Sequence, residues 1–308
     1  MNTTSWRAWS CTIELTAAHK CDLEPARRVV EQVMGEVNAS ANRFEHSSDL
    51  SRLNANSGRY VIVRPLTIQL LELAIEVADQ THGNVTPTIG AALLAQGYDD
   101  EIDVVRSRQR PNSVTPSSTT TAPAPVARSA IRIDYELCRA GVTAGTVLDL
   151  GALAKAYAVD EAIVRIADRG LGGVLVSIGG DLAVHGGPDQ EWPILASETA
   201  DGPAQAITIT EGAVATSSTV TRRWADGRHH IIDPHTGSCA ADHWRTATVW
   251  APTAVEANTM STWALVAADE AERALAVRQL PARLVSVDGR NETRHGWPSL
   301  TRVVGSVS

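Results

Sequence analysis

Aromatic residues are scarce in this sequence: 8 Trp, 4 Tyr and one Phe, Phe44, among 308 residues. Any role that needs ring stacking therefore has few candidates. The four cysteines, Cys11, Cys21, Cys138 and Cys239, lack the short spacing of a zinc knuckle or a CxxC redox pair. That argues against metal chemistry through sulfur, and buried free thiols are expected. An excess of basic residues is also missing, with Lys+Arg 27 against Asp+Glu 35, a formal charge of −8 and pI near 5.6. General nucleic-acid binding is not expected from such a balance. No run approaches the roughly 18 apolar residues of a spanning helix. The N-terminus, MNTTSWRAWSCTIEL, has no basic start followed by an apolar run of about 7–15 residues, so no signal peptide is expected. Cys11 lacks the setting of a lipid-modified cysteine, and a cytoplasmic protein is the default. Two catalytic signatures are absent. The glycines at 170, 172 and 173 precede a strand rather than follow one, so there is no GxGxxG dinucleotide loop, and there is no GxSxG elbow.

What is present is an ordinary globular composition, 44% apolar and 20% charged, in a chain long enough for one large domain or two small ones with ample core. Residues 6–15 read as an opening strand, and 23–41 as a helix with Ala26, Val29, Val30, Val33 and Val37 on one face. A short helical turn is expected at 49–53, a strand at 60–63, and an amphipathic helix over 66–82 capped at Gly83. Residues 83–99, GNVTPTIGAALLAQGYD, form a glycine- and threonine-rich loop entering a short helix. Residues 107–130 are rich in Ser, Thr, Pro and Ala and read as a flexible insertion. A strand resumes at 131–134, so a single domain over 1–308 is the simpler account. Strands are expected at 192–197, 205–210, 246–250 and 284–287, and a helix over 257–270. The run HHIIDPHTG carries a strand into an Asp-Pro-x-Thr-Gly turn.

The chain is organised around residues 146–181. LDLGALAKAYAVD, at 148–160, reads as a strand end, a tight turn at Gly151 and a helix. A second apolar run at 174–178 closes into Gly179-Gly180-Asp181. Strand, crossover helix and strand predict one parallel βαβ unit within an α+β fold whose sheet is otherwise largely antiparallel. Ligands bind beyond the carboxyl ends of such strands. Glycines there admit a ligand to the backbone, the helix N-terminus favours an anion, and Lys155 lies one turn in. A phosphorylated ligand is expected.

Several segments in order resemble the ApbE family of flavin transferases, FAD:protein FMN transferases. LDLGALAKAYAVD is similar to that family's DLGxIAKGYAVD, and SIGGDLAVHG to its NLGGDxxxxG. ATSS followed by HHIIDPHTG resembles ATSG followed by HIIDPxTG. FEHSSDLSRLN resembles xRPDSELSRLN, and ANTMSTW the ADALSTA helix. The resemblance implies an ApbE-like, T-fold-like architecture. It also implies a magnesium-dependent reaction that cleaves FAD, attaches FMN to a Ser or Thr hydroxyl of an acceptor protein, and releases AMP.

Carried over by position, the resemblance implies that magnesium is held by the Ala152 backbone oxygen, Asn258 and the Thr262 hydroxyl. It places Phe44, Thr86, Asp149, Lys155, Asp181, Ser217, His230 and Ile231 around FAD, with His230 and Asp149 in catalysis. The chain departs from the pattern at several points. The usual metal-binding aspartate is Asn258, the usual Phe-Asp is Val85-Thr86, and ATSG and AKG read ATSS and AKA at Ser218 and Ala156. The usual Gly-Thr near the N-terminus is replaced around Ser10-Cys11. Two other readings stay open: FAD pyrophosphate hydrolysis to FMN and AMP, and a non-catalytic FAD-binding protein.

Overall fold

The computed structural model describes residues 1–108, 122–187, 189–198, 204–224, 227–241 and 243–298. The centre of the expected insertion, at 109–121, and Asp226 of the expected turn lie outside them. The fold is α+β, in two compact units, each discontinuous in sequence. The first comprises Met1–Val30, Val159–Thr221 and Asp242–Ser308; the second comprises Glu31–Ala158 and Arg222–Ala241.

The first unit is built on an eight-stranded sheet. Its order is Asn2–Ala8, Cys11–Ala17, Val174–Ile178, Asp181–His185, Ala213–Ser218, Trp244–Ala251, Ala282–Ser286 and Asn291–Arg294. Every pairing among the described strands is antiparallel. The expected opening strand is a hairpin, because Trp9 and Ser10 both take positive φ, 51° and 55°, the backbone of a tight two-residue turn. The strand expected at 284–287 is followed by one more, Asn291–Arg294.

The centre of this sheet is covered on both faces. Ser217 points to the helix Ala254–Val266, bonding Ser261 and Thr262, while Val214, three residues earlier, packs with Trp192, Ile194 and Ile207 of a two-stranded ribbon. That ribbon pairs Trp192–Ser197 with Ala204–Ile209, as expected. The covering helix is buried along almost its whole length, so it shows no amphipathic stripe. Its start is set by the Thr253 hydroxyl, which accepts from Glu256 N at 3.1 Å. Asp160 also accepts there, from Ala254 N at 2.7 Å and Val255 N at 2.9 Å, placing a carboxylate where helix N–H groups are otherwise orphaned. The helix breaks at Ala267 (φ −141°, ψ 77°) and a second one, Ala268–Arg278, follows. The single helix expected over 257–270 is therefore two.

The second unit holds a three-stranded sheet, Tyr60–Ile62, Arg139–Val142 and Ile131–Asp134 in that order, with the helices Asp49–Ala55 and Pro65–Gln80. Buried Asp49 ties them together, accepting from Arg52 (2.9 Å), Arg64 (2.7 Å), Arg64 N (2.6 Å) and the Thr67 hydroxyl (2.8 Å). A smaller core gathers Leu93, Tyr98, Ile102, Val105, Trp224 and Ile232.

The expected βαβ unit is not present. Residues 148–150 form no strand, because their backbone groups are taken elsewhere. Asn54 clamps Leu148 from both sides, Nδ2 donating to its carbonyl (2.9 Å) and Oδ1 accepting from its N–H (2.7 Å). Asp149 N donates to Pro87 O at 2.8 Å. A turn at 151–153 then opens the helix Ala154–Asp168. At the other end, Gly179-Gly180 is a hairpin turn in which Ile178 pairs with Asp181. Gly179 has φ 67°, and a Cβ on Gly180 would meet Thr216 O at 2.6 Å. Glycine is required at both for backbone reasons. Of the four cysteines, Cys11 and Cys239 are half-buried and Cys21 and Cys138 exposed, all as free thiols. The expectation of buried thiols is corrected accordingly.

Candidate functional site

The residues expected around the ligand fall into two groups, one in each unit. In the second unit, Asp149 is the hub. Its Oδ2 accepts from Arg43 Nε at 2.5 Å and its Oδ1 from Gly151 N at 2.7 Å. Both carboxylate oxygens are therefore engaged, one fixing a cation and the other shaping the turn before Lys155. Arg43 also donates to Tyr98 O at 2.7 Å. Its guanidinium lies 4.1 Å from the Phe44 ring centroid and 4.8 Å from that of Tyr98, which is cation–π distance on both. Tyr98 in turn stacks on Trp224 at 5.2 Å and meets Phe44 edge-on at 5.8 Å. Burial raises the Tyr98 phenol above its ordinary range, so its ring serves as a neutral wall.

Thr86 does what a helix start needs: its hydroxyl bonds Thr88 Oγ1 at 2.9 Å and caps the 3₁₀ turn Pro87–Ile89. His230 is half-buried, and its Nδ1 is buried without a hydrogen-bond partner among the described residues. Burial holds its pKa well below the ordinary histidine value, and the charges of Arg222, His229 and Lys155 press it further down. The ring is neutral at pH 7, with a nitrogen free to accept a proton. The following residue, Ile231, is buried and accepts from Ala240 N at 2.9 Å.

In the first unit, Asp181, Ser217, Asn258 and Thr262 come together. Asn258 Nδ2 donates to Asp181 Oδ1 at 2.8 Å, and Asp181 is fully buried. The Ser217 hydroxyl bonds Thr262 Oγ1 at 2.9 Å and Ser261 Oγ at 2.8 Å. Asn258 Oδ1 is buried and has no hydrogen-bond partner among the described residues. An acceptor left in that condition costs about 1–3 kcal/mol, so its presence asks for a reason. Asn258 and Thr262 lie one helical turn apart on the same face, and an amide oxygen with a hydroxyl oxygen is a hard donor set suited to magnesium. No cluster of three His, Cys, Asp or Glu able to hold a metal exists among the described residues. Nearby, burial raises the Asp160 carboxyl to about 6, against the two N–H donors of Ala254 and Val255 and with the charge of Asp181 adding to the rise.

Sequence reasoning missed Arg43, Tyr98, Trp224 and Ser261. Arg43 is 106 positions from its carboxylate partner, and no spacing rule connects them. Tyr98 and Trp224 could have been found by asking where so few aromatic residues would gather.

Comparison with known proteins bears on both groups. The ApbE family profile matches residues 8–284. A FAD:protein FMN transferase from Treponema pallidum is 28% identical over 278 residues, covering 80% of this chain and 71% of the relative. One from Haemophilus influenzae is 25% identical over 264 residues, covering 80% and 74%. Among solved structures, the ApbE protein of Thermotoga maritima superposes with a TM-score of 0.79 at 22% identity, over 96% of this chain and 97% of that one. The flavin transferase ApbE of Vibrio cholerae does so with a TM-score of 0.75 at 20% identity, over 96% and 97%. At those identities the likeness is one of fold. No described helix is long and apolar enough to cross a membrane. The matched span takes in the clamp at Leu148, the Gly-Gly hairpin and the helix carrying Asn258 and Thr262, and the chain belongs to the ApbE family.

Proposed function

We propose that this chain is a magnesium-dependent FAD:protein FMN transferase, with residues 1–308 working as one flavin transferase domain in the cytoplasm. The observation that carries the reading is the buried, unpartnered Oδ1 of Asn258, one turn from the Thr262 hydroxyl. In this reading those two oxygens are the ligands that the helix offers the ion. Magnesium, when bound, neutralises charge that develops on the cleaved pyrophosphate. Support for the substrate comes from the relatives named FAD:protein FMN transferase.

The chain's own residues have the following roles. Asp149, held by Arg43 and Gly151 N, fixes the turn that presents Lys155 at the head of its helix. Lys155 then meets phosphate oxygens of FAD as a point charge. Phe44 borders the flavin, with Thr86 and Ile231 beside it, while in the first unit Asp181 and Ser217 brace Asn258 and Thr262. His230, neutral and with an open acceptor nitrogen, takes the proton of the acceptor's Ser or Thr hydroxyl as that oxygen attacks the phosphorus on the FMN side. The bond from that phosphorus to the bridging oxygen breaks, and AMP leaves with the oxygen.

The test is incubation of the full chain with FAD, magnesium and an acceptor protein bearing a target Ser or Thr, followed by intact mass measurement. An added FMN on the acceptor, with AMP released in equal amount, is expected. An acceptor of unchanged mass under saturating FAD overturns the transferase reading, and FMN plus AMP without acceptor marks hydrolysis instead.

A further inference from the structure

Asn258 and Asp181 form a pair whose two members do different things. Asp181 sits at the start of its strand, directly after the Gly179-Gly180 turn, with no exposure. Its position is fixed by the hairpin and by Thr216 N, which donates to Gly180 O at 2.8 Å. Asn258 rides on a helix buried along almost its whole length. The bond between them runs in one sense. A carboxylate oxygen accepts, so the amide must turn its NH2 to Asp181, and its carbonyl oxygen must face the other way. That carbonyl oxygen is the buried atom without a partner. Without Asp181, an asparagine at this place could present either end of its amide.

We propose that Asp181 is a positioning residue for Asn258: it locks the amide so that Oδ1 is the ligand offered to a divalent cation, and supplies from one hydrogen bond away the negative charge the amide lacks. The inference rests on the magnesium reading above. Partners in the second shell of a metal typically alter affinity by about 10–100-fold. A carboxylate at position 258 would need no such lock, because its two oxygens are equivalent. Asp181 should therefore matter more to the present chain than to an Asn258→Asp variant.

The experiment is a double-mutant cycle read by Mn2+ affinity. Free Mn2+ is followed by electron paramagnetic resonance in the presence of FAD, using the full chain, Asp181→Asn, Asn258→Asp and the double variant. Asp181→Asn is expected to weaken Mn2+ about tenfold in the natural chain and by no more than about threefold in the Asn258→Asp background. Equal losses in the two backgrounds overturn the positioning role, leaving Asp181 as a general charge. If Asp181→Asn alone does not fold, the Asn258→Asp background decides, since its double variant keeps one amide facing one carboxylate; a tenfold loss there overturns the proposal. Failure of the underlying magnesium reading looks different. The natural chain would then bind no Mn2+, or Asn258→Leu would bind it undiminished, and the positioning role would fall with it.

Discussion

The two clusters contrast in how completely their polar groups are satisfied. Around Asp149 the contacts close on themselves: both carboxylate oxygens are taken, and Arg43 is spent on Asp149, Tyr98 O and two rings. Around Asn258 one acceptor, its Oδ1, is left without a partner among the described residues. A closed network holds shape; an open one stores an unmet interaction that a ligand can satisfy. Breaking the first should therefore cost stability above all, and opening the second at Asn258 should cost binding more than stability.

The largest expected effect lies at the open cluster. Asn258→Leu should lower magnesium-supported FMN transfer by about a thousandfold, since a bound ion contributes several kcal/mol of charge stabilisation. Its unfolding midpoint in urea should change little, because losing the orphan acceptor offsets losing the amide donor to buried Asp181. A marked drop in midpoint would erase the contrast.

Asp160 comes next and concerns the helix start beneath that cluster. Its carboxyl is raised to about 6 in the folded chain against 3.8 for an unperturbed one. A raised value means that the folded state holds the proton more tightly. The associated stability is full below the unfolded pKa and is lost as pH rises through about 6. That loss amounts to about 3 kcal/mol, and Asp160→Asn should lack it. Urea unfolding of both proteins at pH 4 and pH 7.5 checks this: the natural chain should lose ground to the variant on going to the higher pH.

Arg43→Met tests the closed cluster. The carboxylate of Asp149 is 12% exposed and would lose its cation, so a stability loss of about 2 kcal/mol is expected. The smallest effect is a pH limb. With His230 held well below 6.5, transfer rates should be flat from pH 8 down to 6.5 and fall only at lower pH. A fall near 6.5 that His230→Gln removes would show the ring to be ordinary.

Much of the architecture was legible from periodicity, and the failures have identifiable causes. The helices at Lys20–Ala41 and Pro65–Gln80 and the strand Val174–Ile178 follow from apolar spacing. The parallel crossover did not exist because the signal behind it was ambiguous. An unbroken apolar run such as VLVSI reads as a parallel strand, yet here an antiparallel strand is covered on both faces. The strand expected before Gly151 failed through a contact at long range, since Asn54 occupies the Leu148 backbone groups. In the site, Asn258 and Thr262 were visible as a helical pair at i and i+4, and glycine doublets marked the hairpin. The bond from Asn258 to Asp181 was not legible, because 77 positions and a sheet register separate them.

The division of the chain carries a consequence for its inheritance. The boundaries after Val30, Ala158, Thr221 and Ala241 mean that the backbone passes from one unit to the other four times, twice within a continuous helix, Lys20–Ala41 and Ala154–Asp168. No single cut releases either unit whole. Removing Met1–Val30 takes the outer hairpin of the sheet, and removing Asp242–Ser308 takes three of its strands together with Asn258. Both ends of the chain belong to the first unit, so a lineage that trimmed either end would strip strands from that unit's sheet before it reached the second.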